Sequence, residues 1–587
     1  MKNFFGAFFG SCLGILLTGL VITVIAIFSI KSLVDDGNSK HYVSVKNSVL
    51  KLNLNQPIAE RTVENPFGKL DLGPLLPPPV IGLNTILSNI KKAKADNNIK
   101  GIYLEINSPG AGFATLEEIR NALIDFKTSG KFIYAYSETY SQKAYYIASV
   151  ANKIFLNSQG TLELKGLSSQ IMFFKNMLAK LGVEVQIFRH GKFKSAIEPF
   201  MLDKMSEANR SQIETYLASL WNHMLEGISE SRKISVINLN KMANDLLIRN
   251  PNDALQNKLV DGLKYEDEVF DEIKKEIKIA ESDKINFVSF DKYALSPNEL
   301  KLSKDKIAIV YAVGEIMSGK GSDEYIGSET ISKTLRDARL DTNIKAIVLR
   351  VNSPGGSALA SDVIWREVLL AKTVKPIVVS MGDVAASGGY YISCAASKIF
   401  AQPNTITGSI GVFGLIPNVQ KALSDKLGIT IDTVNTNKHS DVGTILRGAS
   451  SFESEYIQKS VEDIYDVFIT RVSEGRQISK SIVDSIGQGR VWSGENALKI
   501  KLVDEIGGIN DAIAAAAKLA KISNYKLIDL PIQKNPIEEL LSNGTDEIET
   551  RTMKTNLGEQ YIYIKQLKNV LIKKGIQARI PYEMLIE

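Results

Sequence analysis

DNNIKGIYLEINSPGAGFATLEEI, residues 96–119, reads against DTNIKAIVLRVNSPGGSALASDVI, residues 341–364, at an offset of 245 that sets Asp96 on Asp341. The same offset brings Tyr145-Tyr146-Ile147 onto Tyr390-Tyr391-Ile392 and Lys153-Ile154-Phe155 onto Lys398-Ile399-Phe400. Further along, DALQNKLVDGL (Asp253 to Leu263) matches NALKIKLVDEI (Asn496 to Ile506) after a slip of two residues. Chance does not hold register over such a span. A period this long marks a duplicated domain rather than an array of small stacked repeats.

Each copy has the same local grammar. In the second, the β-branched run Ile344 to Val351 leads into Asn-Ser-Pro-Gly, a turn signal, and then a helical pattern. A second apolar run, Pro376 to Ser380, leads to a Gly/Ala/Ser-rich turn, and a third ends at Ile399-Phe400. Strands that alternate with helices predict an α/β fold with crossover connections. Helical stretches are expected at Ser206 to Ile248 and Ser454 to Arg476. The expected organisation is a segment 1–31, a first repeat over 45–300, a second over 301–530, and a charged tail over 531–587 that has no repeat partner and is expected to be peripheral or mobile.

Composition narrows the function classes. At 587 residues the chain exceeds one core, and 44% hydrophobic with 23% charged residues is ordinary for a folded protein. A net charge of +5 over this length, with no concentrated basic stripe, argues against nucleic-acid binding. The two cysteines, Cys12 and Cys394, are not a disulfide framework, and four histidines with no Cys/His cluster argue against a zinc site. From Gly10 to Ile30 the chain carries no charge and is long enough to cross a bilayer as a helix. No small-x-small cleavage site follows before Lys31, so an uncleaved anchor is expected. Lys2 on one side and Lys31, Lys40, Lys46 and Lys51 on the other do not by themselves fix the topology.

The chemistry is divided between the copies. In MGDVAASGGY (Met381 to Tyr390), Ser387 is flanked by small residues, as suits a tight turn that exposes its Oγ. Glycines after the strand at Asn352-Ser-Pro-Gly-Gly356 can turn backbone N–H groups into a cavity, and one of these with the N–H of Gly388 would form an oxyanion hole. The first copy has Gln142 where the second has Ser387, and Gly110-Ala111 where the second has Gly355-Gly356. For a base, the first copy offers RHGKFKSA (Arg189 to Ala196). At the same offset Lys194 falls on His439, and after a one-residue slip on Ser440. Each copy thus keeps one part of a Ser–Lys pair. A serine hydroxyl needs a neighbouring base, and a lysine serves only when neutral, which burial can bring about.

Together the N-terminal apolar segment, the tandem NSPGG-type motifs, GKFKSAIEPF (191–200) and MGDVAASGGY resemble the long, duplicated form of bacterial signal peptide peptidase A. The resemblance runs from the apolar segment to about Leu530. It implies the Clp-protease/crotonase fold with spiral ββα units, the nucleophile at Ser387 and the general base at Lys194. Thr407-Gly-Ser-Ile-Gly411 resembles a motif of single-domain relatives whose serine holds the lysine, which makes Ser409 a lysine-orienting hydroxyl. By the same resemblance Gly356 and Gly388 supply the oxyanion-hole amides. It further implies an endopeptidase that degrades cleaved signal peptides and other hydrophobic peptides, with no cofactor and no metal. The expected setting is a homotetramer tethered to the bacterial inner membrane by a single span, with its catalytic domains on the extracytoplasmic side. Alternative readings are a crotonase-like acyl-CoA enzyme, with Asp383 as its carboxylate, a non-catalytic scaffold, and a local base from Lys438 or His439.

Overall fold

A computed structural model describes residues 14, 18–19, 42–62, 80–296, 303–322, 324–533 and 576–580. The apolar segment from Gly10 to Ile30 falls almost wholly outside the described residues, as does most of the tail. Among the described residues, no helix is long and apolar enough to cross a membrane.

Runs such as IKAIVLRV are apolar on both faces, the pattern of a strand covered by helices on either side. They fold accordingly. The Ile344–Ser353 strand is buried along nearly its whole length. In the front copy a parallel sheet runs in the order Gly262–Leu263, Lys153–Leu162, Phe132–Tyr140, Ile99–Glu105, Ser48–Asn53, Asn286–Ser289. The rear copy repeats that order strand for strand: Glu505–Ile506, Lys398–Ala401, Ile377–Ala386, Ile344–Ser353, Lys306–Val313, Lys526–Leu530. Helices follow suit, Phe113–Lys127 answering to Ala358–Lys372 and Glu207–Arg232 to Ser451–Arg476. The duplication read from the sequence is therefore present in the topology.

Two features were not legible in the sequence pattern. The strand expected to stop at Ser380 continues to Ala386, because Met381 and Ala385 remain buried and pair with the Ile344–Ser353 strand across a register shift. A third sheet also joins the copies. It runs Tyr325–Gly327, Glu315–Met317, Gly355–Ser357, Gln577–Arg579, Phe413–Asn418, Glu184–Arg189, the last strand coming from the front copy. Gln577–Arg579 of the tail is thus a strand inside this sheet and not peripheral: Ala578 is fully buried there.

One core cluster spans the two copies, beside a second that belongs almost wholly to the rear copy. Leu116 and Ile119 of the front pack in a single cluster with Ile309, Val348 and Ile513 of the rear. Within this contact Arg350, fully buried, lies between two front-copy carboxylates, 2.7 Å from Glu60 Oε2 and 2.7 Å from Glu118 Oε1. It also donates to Ser380 Oγ at 2.8 Å. Removing one partner of a buried ionic cluster strands the others without water or countercharge. Arg350→Met is therefore expected to lower stability by about 3–5 kcal/mol, read as a lower denaturant midpoint at unchanged m value. An unchanged midpoint would show that these charges do not clamp the copies.

Candidate active site

The Ile377–Ala386 strand gives way at Ser387, and the Gly388–Ser393 helix starts at the next residue. Ser387 makes the whole turn alone, at φ 56° and ψ −112°, a conformation that a residue with a side chain adopts only when its surroundings hold it. Its N–H donates to Gly408 O at 2.8 Å, and Tyr391 N–H donates back to its carbonyl at 2.8 Å. The space after the serine is tight: a Cβ on Gly388 would lie 2.7 Å from Ser361 Oγ and 3.0 Å from the Ala578 carbonyl oxygen.

Lys194 reaches this serine by strand pairing. The front-copy strand Glu184–Arg189 lies antiparallel to the rear-copy strand Phe413–Asn418, Arg189 opposite Phe413. The chain then turns at Gly191, Phe193 N–H donates to Gln488 O at 3.0 Å, and a short 3-10 turn starts at Ser195. Gly489, at φ 84°, presses against the Lys194 backbone, where a Cβ would lie 2.6 Å from its Cα. Gln212 locks the segment from the helix side, donating to Phe193 O at 3.2 Å and Ser195 Oγ at 2.8 Å while accepting from Val491 N.

The result is a contact between copies. Lys194 Nζ lies 2.8 Å from Ser387 Oγ, 3.2 Å from Ser409 Oγ and 3.2 Å from Ser409 O. All three residues are fully buried. Burial alone pushes the Lys194 amine well below its ordinary value; among the described residues no carboxylate beside it favours the charged form. A neutral amine has a free lone pair and can accept the serine proton. Ser409 itself follows Gly408 at φ 50°, with its N–H held by Arg490 O at 2.7 Å.

Gly355, next to Gly356, adjoins Gly388, while a Cβ on Gly356 itself would sit 2.0 Å from Ile316 O. Gly356 lies opposite Ala578 of the tail strand. A Cβ on Gly355 (φ 96°) would sit 2.2 Å from the Ala578 carbonyl oxygen and 2.7 Å from the Gly388 N; one on Gly388 would sit 3.0 Å from that same oxygen. The Gly355 and Gly388 turns therefore both lie against the Ala578 carbonyl.

The remaining residues singled out in the sequence do other work. Gln142, on the position of Ser387 in the front copy, ties its side chain to Lys165 N at 2.7 Å and to Gly166 N at 2.9 Å. Asp383 accepts from Thr115 N at 2.9 Å and Thr115 Oγ1 at 2.7 Å, closing the start of the Phe113–Lys127 helix. Lys438 is exposed, and His439 pairs with Glu453 at 3.1 Å; neither is among the partners of Ser387 Oγ, which are Lys194 Nζ and Gly411 O. Sequence reasoning missed the Gln488-Gly489 turn and Gln212. The only sequence signal for the turn is the Gly-Gln-Gly triplet at Gly487, and Gln212 gave none.

The model of peptidase family S49 matches residues 125–280 and 370–523, one match in each copy. "Protease 4" of Salmonella typhi is 41% identical over 75% of this chain and 72% of its own length. "Protease 4" of Haemophilus influenzae is 35% identical over 94% of this chain and 91% of its own. "Serine protease SPPA, chloroplastic" of Arabidopsis thaliana is 33% identical over 85% and 74%.

Proposed function

The chain belongs to peptidase family S49 and is a serine peptidase, and from that premise we propose that Ser387 is its nucleophile and Lys194 its general base. The observation that carries this reading is the 2.8 Å contact between the serine hydroxyl and a fully buried amine that has no countercharge among the described residues. Ser387 Oγ attacks the scissile carbonyl while neutral Lys194 takes its proton. The developing oxyanion is stabilised by the N–H groups of Gly356 and Gly388. Lys194 returns the proton to the leaving amine, and water then releases the acyl group by the reverse sequence. Asp383, engaged at a helix start, is not available as the base of an acyl-CoA reaction.

The finer assignments follow the resemblance. The copies take the Clp-protease/crotonase form, with the first repeat over 45–300 and the second over 301–530. The substrates are hydrophobic peptides, cleaved signal peptides among them. The segment 1–31 anchors a homotetramer in the inner membrane with the catalytic domains outside the cytoplasm. Cleavage of a leader-derived peptide by the detergent-purified full chain, absent in Ser387→Ala, tests the substrate class; turnover only of acyl-CoA thioesters would overturn it.

Ser409 orients the base through its hydroxyl. Ser409→Ala is expected to lower kcat/KM by about tenfold, the equivalent of one hydrogen bond worth about 1.4 kcal/mol. The pH–rate profile should move at the same time, because the amine loses a neighbour that solvates it. A lowered rate with an unmoved profile would leave Ser409 with a purely structural part.

A further inference from the structure

The strand that carries Ser387 does not run straight to it. Val351 pairs with Met381 and Ser353 with Ala385, so the Ile344–Ser353 strand advances two residues while the serine strand advances four. The surplus makes Gly382-Asp383-Val384 a bulge just ahead of the nucleophile. A bulge beside an active site re-aims the chain that follows it. Each of its three residues is held. Thr405 Oγ1 donates to Gly382 O at 2.9 Å, Thr115 N and Oγ1 donate to the Asp383 carboxylate, and Val384 N–H donates to Asn352 Oδ1 at 3.1 Å.

Asn352 is in turn held from the other copy. Its Nδ2 donates to Glu60 Oε1 at 2.7 Å, and Glu60, buried, is itself fixed by Arg350. The fit is close: a Cβ on Gly382 would lie 2.5 Å from Glu60 Oε1 and 3.0 Å from Asn352 Cγ. With both ends of its amide engaged, Asn352 cannot turn without leaving a buried polar group unpaired. The front copy uses the equivalent asparagine differently. Asn107 Oδ1 accepts from Ser137 Oγ at 2.6 Å, and the N–H of Thr139, which stands where Val384 stands, donates to Ser137 Oγ at 3.0 Å. In the copy without the nucleophile, then, the asparagine holds a side chain and not the strand.

We infer that Asn352 is a positioning residue for the reaction: anchored on Glu60 of the front copy, it holds the bulge that delivers Ser387 Oγ to Lys194. The inference rests on the reading of Ser387 as the nucleophile. The front copy then governs both partners, supplying the amine through Lys194 and the placement of the hydroxyl through Glu60. A reacting atom displaced by about 1 Å costs on the order of 100-fold in rate, with the chemical groups all still present. Release of the bulge should therefore fall on kcat. It should leave the titration of the amine where it is, because burial, and not the serine, sets that.

The test compares full-length variants by turnover of a leader-derived peptide and by the rate of fluorophosphonate labelling against pH, with the labelling end-point counting folded sites. Asn352→Ala is expected to lower kcat and the labelling rate by about 10- to 100-fold, with KM and the pH inflection unmoved. Asn352→Asp sets a second carboxylate against Glu60 and should lose as much. In the double variant Glu60→Gln with Asn352→Asp, the amide at 60 can donate to the carboxylate at 352, which still accepts from Val384 N–H. That exchange should recover at least about tenfold over Asn352→Asp alone, a coupling that two independent structural losses would not show. Should Asn352→Ala fail to fold, the comparison of Asn352→Asp with the double variant decides. A labelling rate in Asn352→Ala close to the parent's, a loss carried by KM, a displaced inflection, or a double variant no faster than Asn352→Asp would each overturn the positioning role. If the parent's labelling and turnover depend on Ser387 in that case, the Ser–Lys reading stands without it; if they do not, the Ser–Lys reading falls as well.

Discussion

Ser387→Ala is expected to reduce peptide cleavage by about 10⁴- to 10⁶-fold, the range seen when the nucleophile of a serine peptidase is removed and only oxyanion stabilisation and binding remain. The loss should fall on kcat, because the hydroxyl meets the substrate carbonyl only on the way to the transition state. Substrate binding should persist, since the glycine turns and the strands that flank the cleft do not depend on the hydroxyl. Alanine at φ 56° is no better placed than serine, so the turn stays under the same constraint. Active-site occupancy measured with an unlabelled peptide, beside turnover, separates these effects. A variant that kept more than about a hundredth of the wild-type rate would remove Ser387 from the reaction.

Lys194→Met should be nearly as damaging, because the members of such a pair act as one unit and their losses do not add. It should also stabilise the fold. In the unfolded chain the amine takes a proton near its ordinary value of 10.5, whereas in the folded chain burial holds that value well below. Between the two values the unfolded state binds one more proton, so stability rises with pH across that window. At neutral pH the buried amine therefore costs stability, and an apolar isostere that fills the same space removes that cost. The expected outcome is a higher Tm at pH 7 together with lost activity, and a flatter dependence of stability on alkaline pH. A lower Tm would mean that the amine is held charged by groups that the site geometry does not contain.

The sequence carried the duplication well, because a parallel strand buried on both faces leaves an apolar run that survives divergence. Ile344 to Val351 is such a run, and so is its partner beginning at Ile99. The nucleophile was legible from the small residues around it, and the lysine from its absence in the other copy. What remained hidden depends on non-local pairing. Nothing in the composition of Glu184–Arg189 announces that it pairs with Phe413–Asn418 of the other copy, yet that ladder carries Lys194 to Ser387. The cross-copy cluster of Arg350, Glu60 and Glu118 was equally silent, as each residue by itself reads as a surface charge. The tail, charged and without a repeat partner, reads as peripheral because its four-residue stretch of alternating side chains is too short to stand out as a strand.

Phosphonylation of Ser387 by a fluorophosphonate reports its nucleophilicity directly, without a substrate-binding or product-release step. The second-order rate constant is expected to rise with pH along a single inflection below 10.5, the ordinary lysine value, as Lys194 loses its proton. In Lys194→Met both the inflection and the rapid reaction should disappear. Wild-type labelling rates in that variant, or an unchanged inflection, would contradict a lysine base delivered from the other copy.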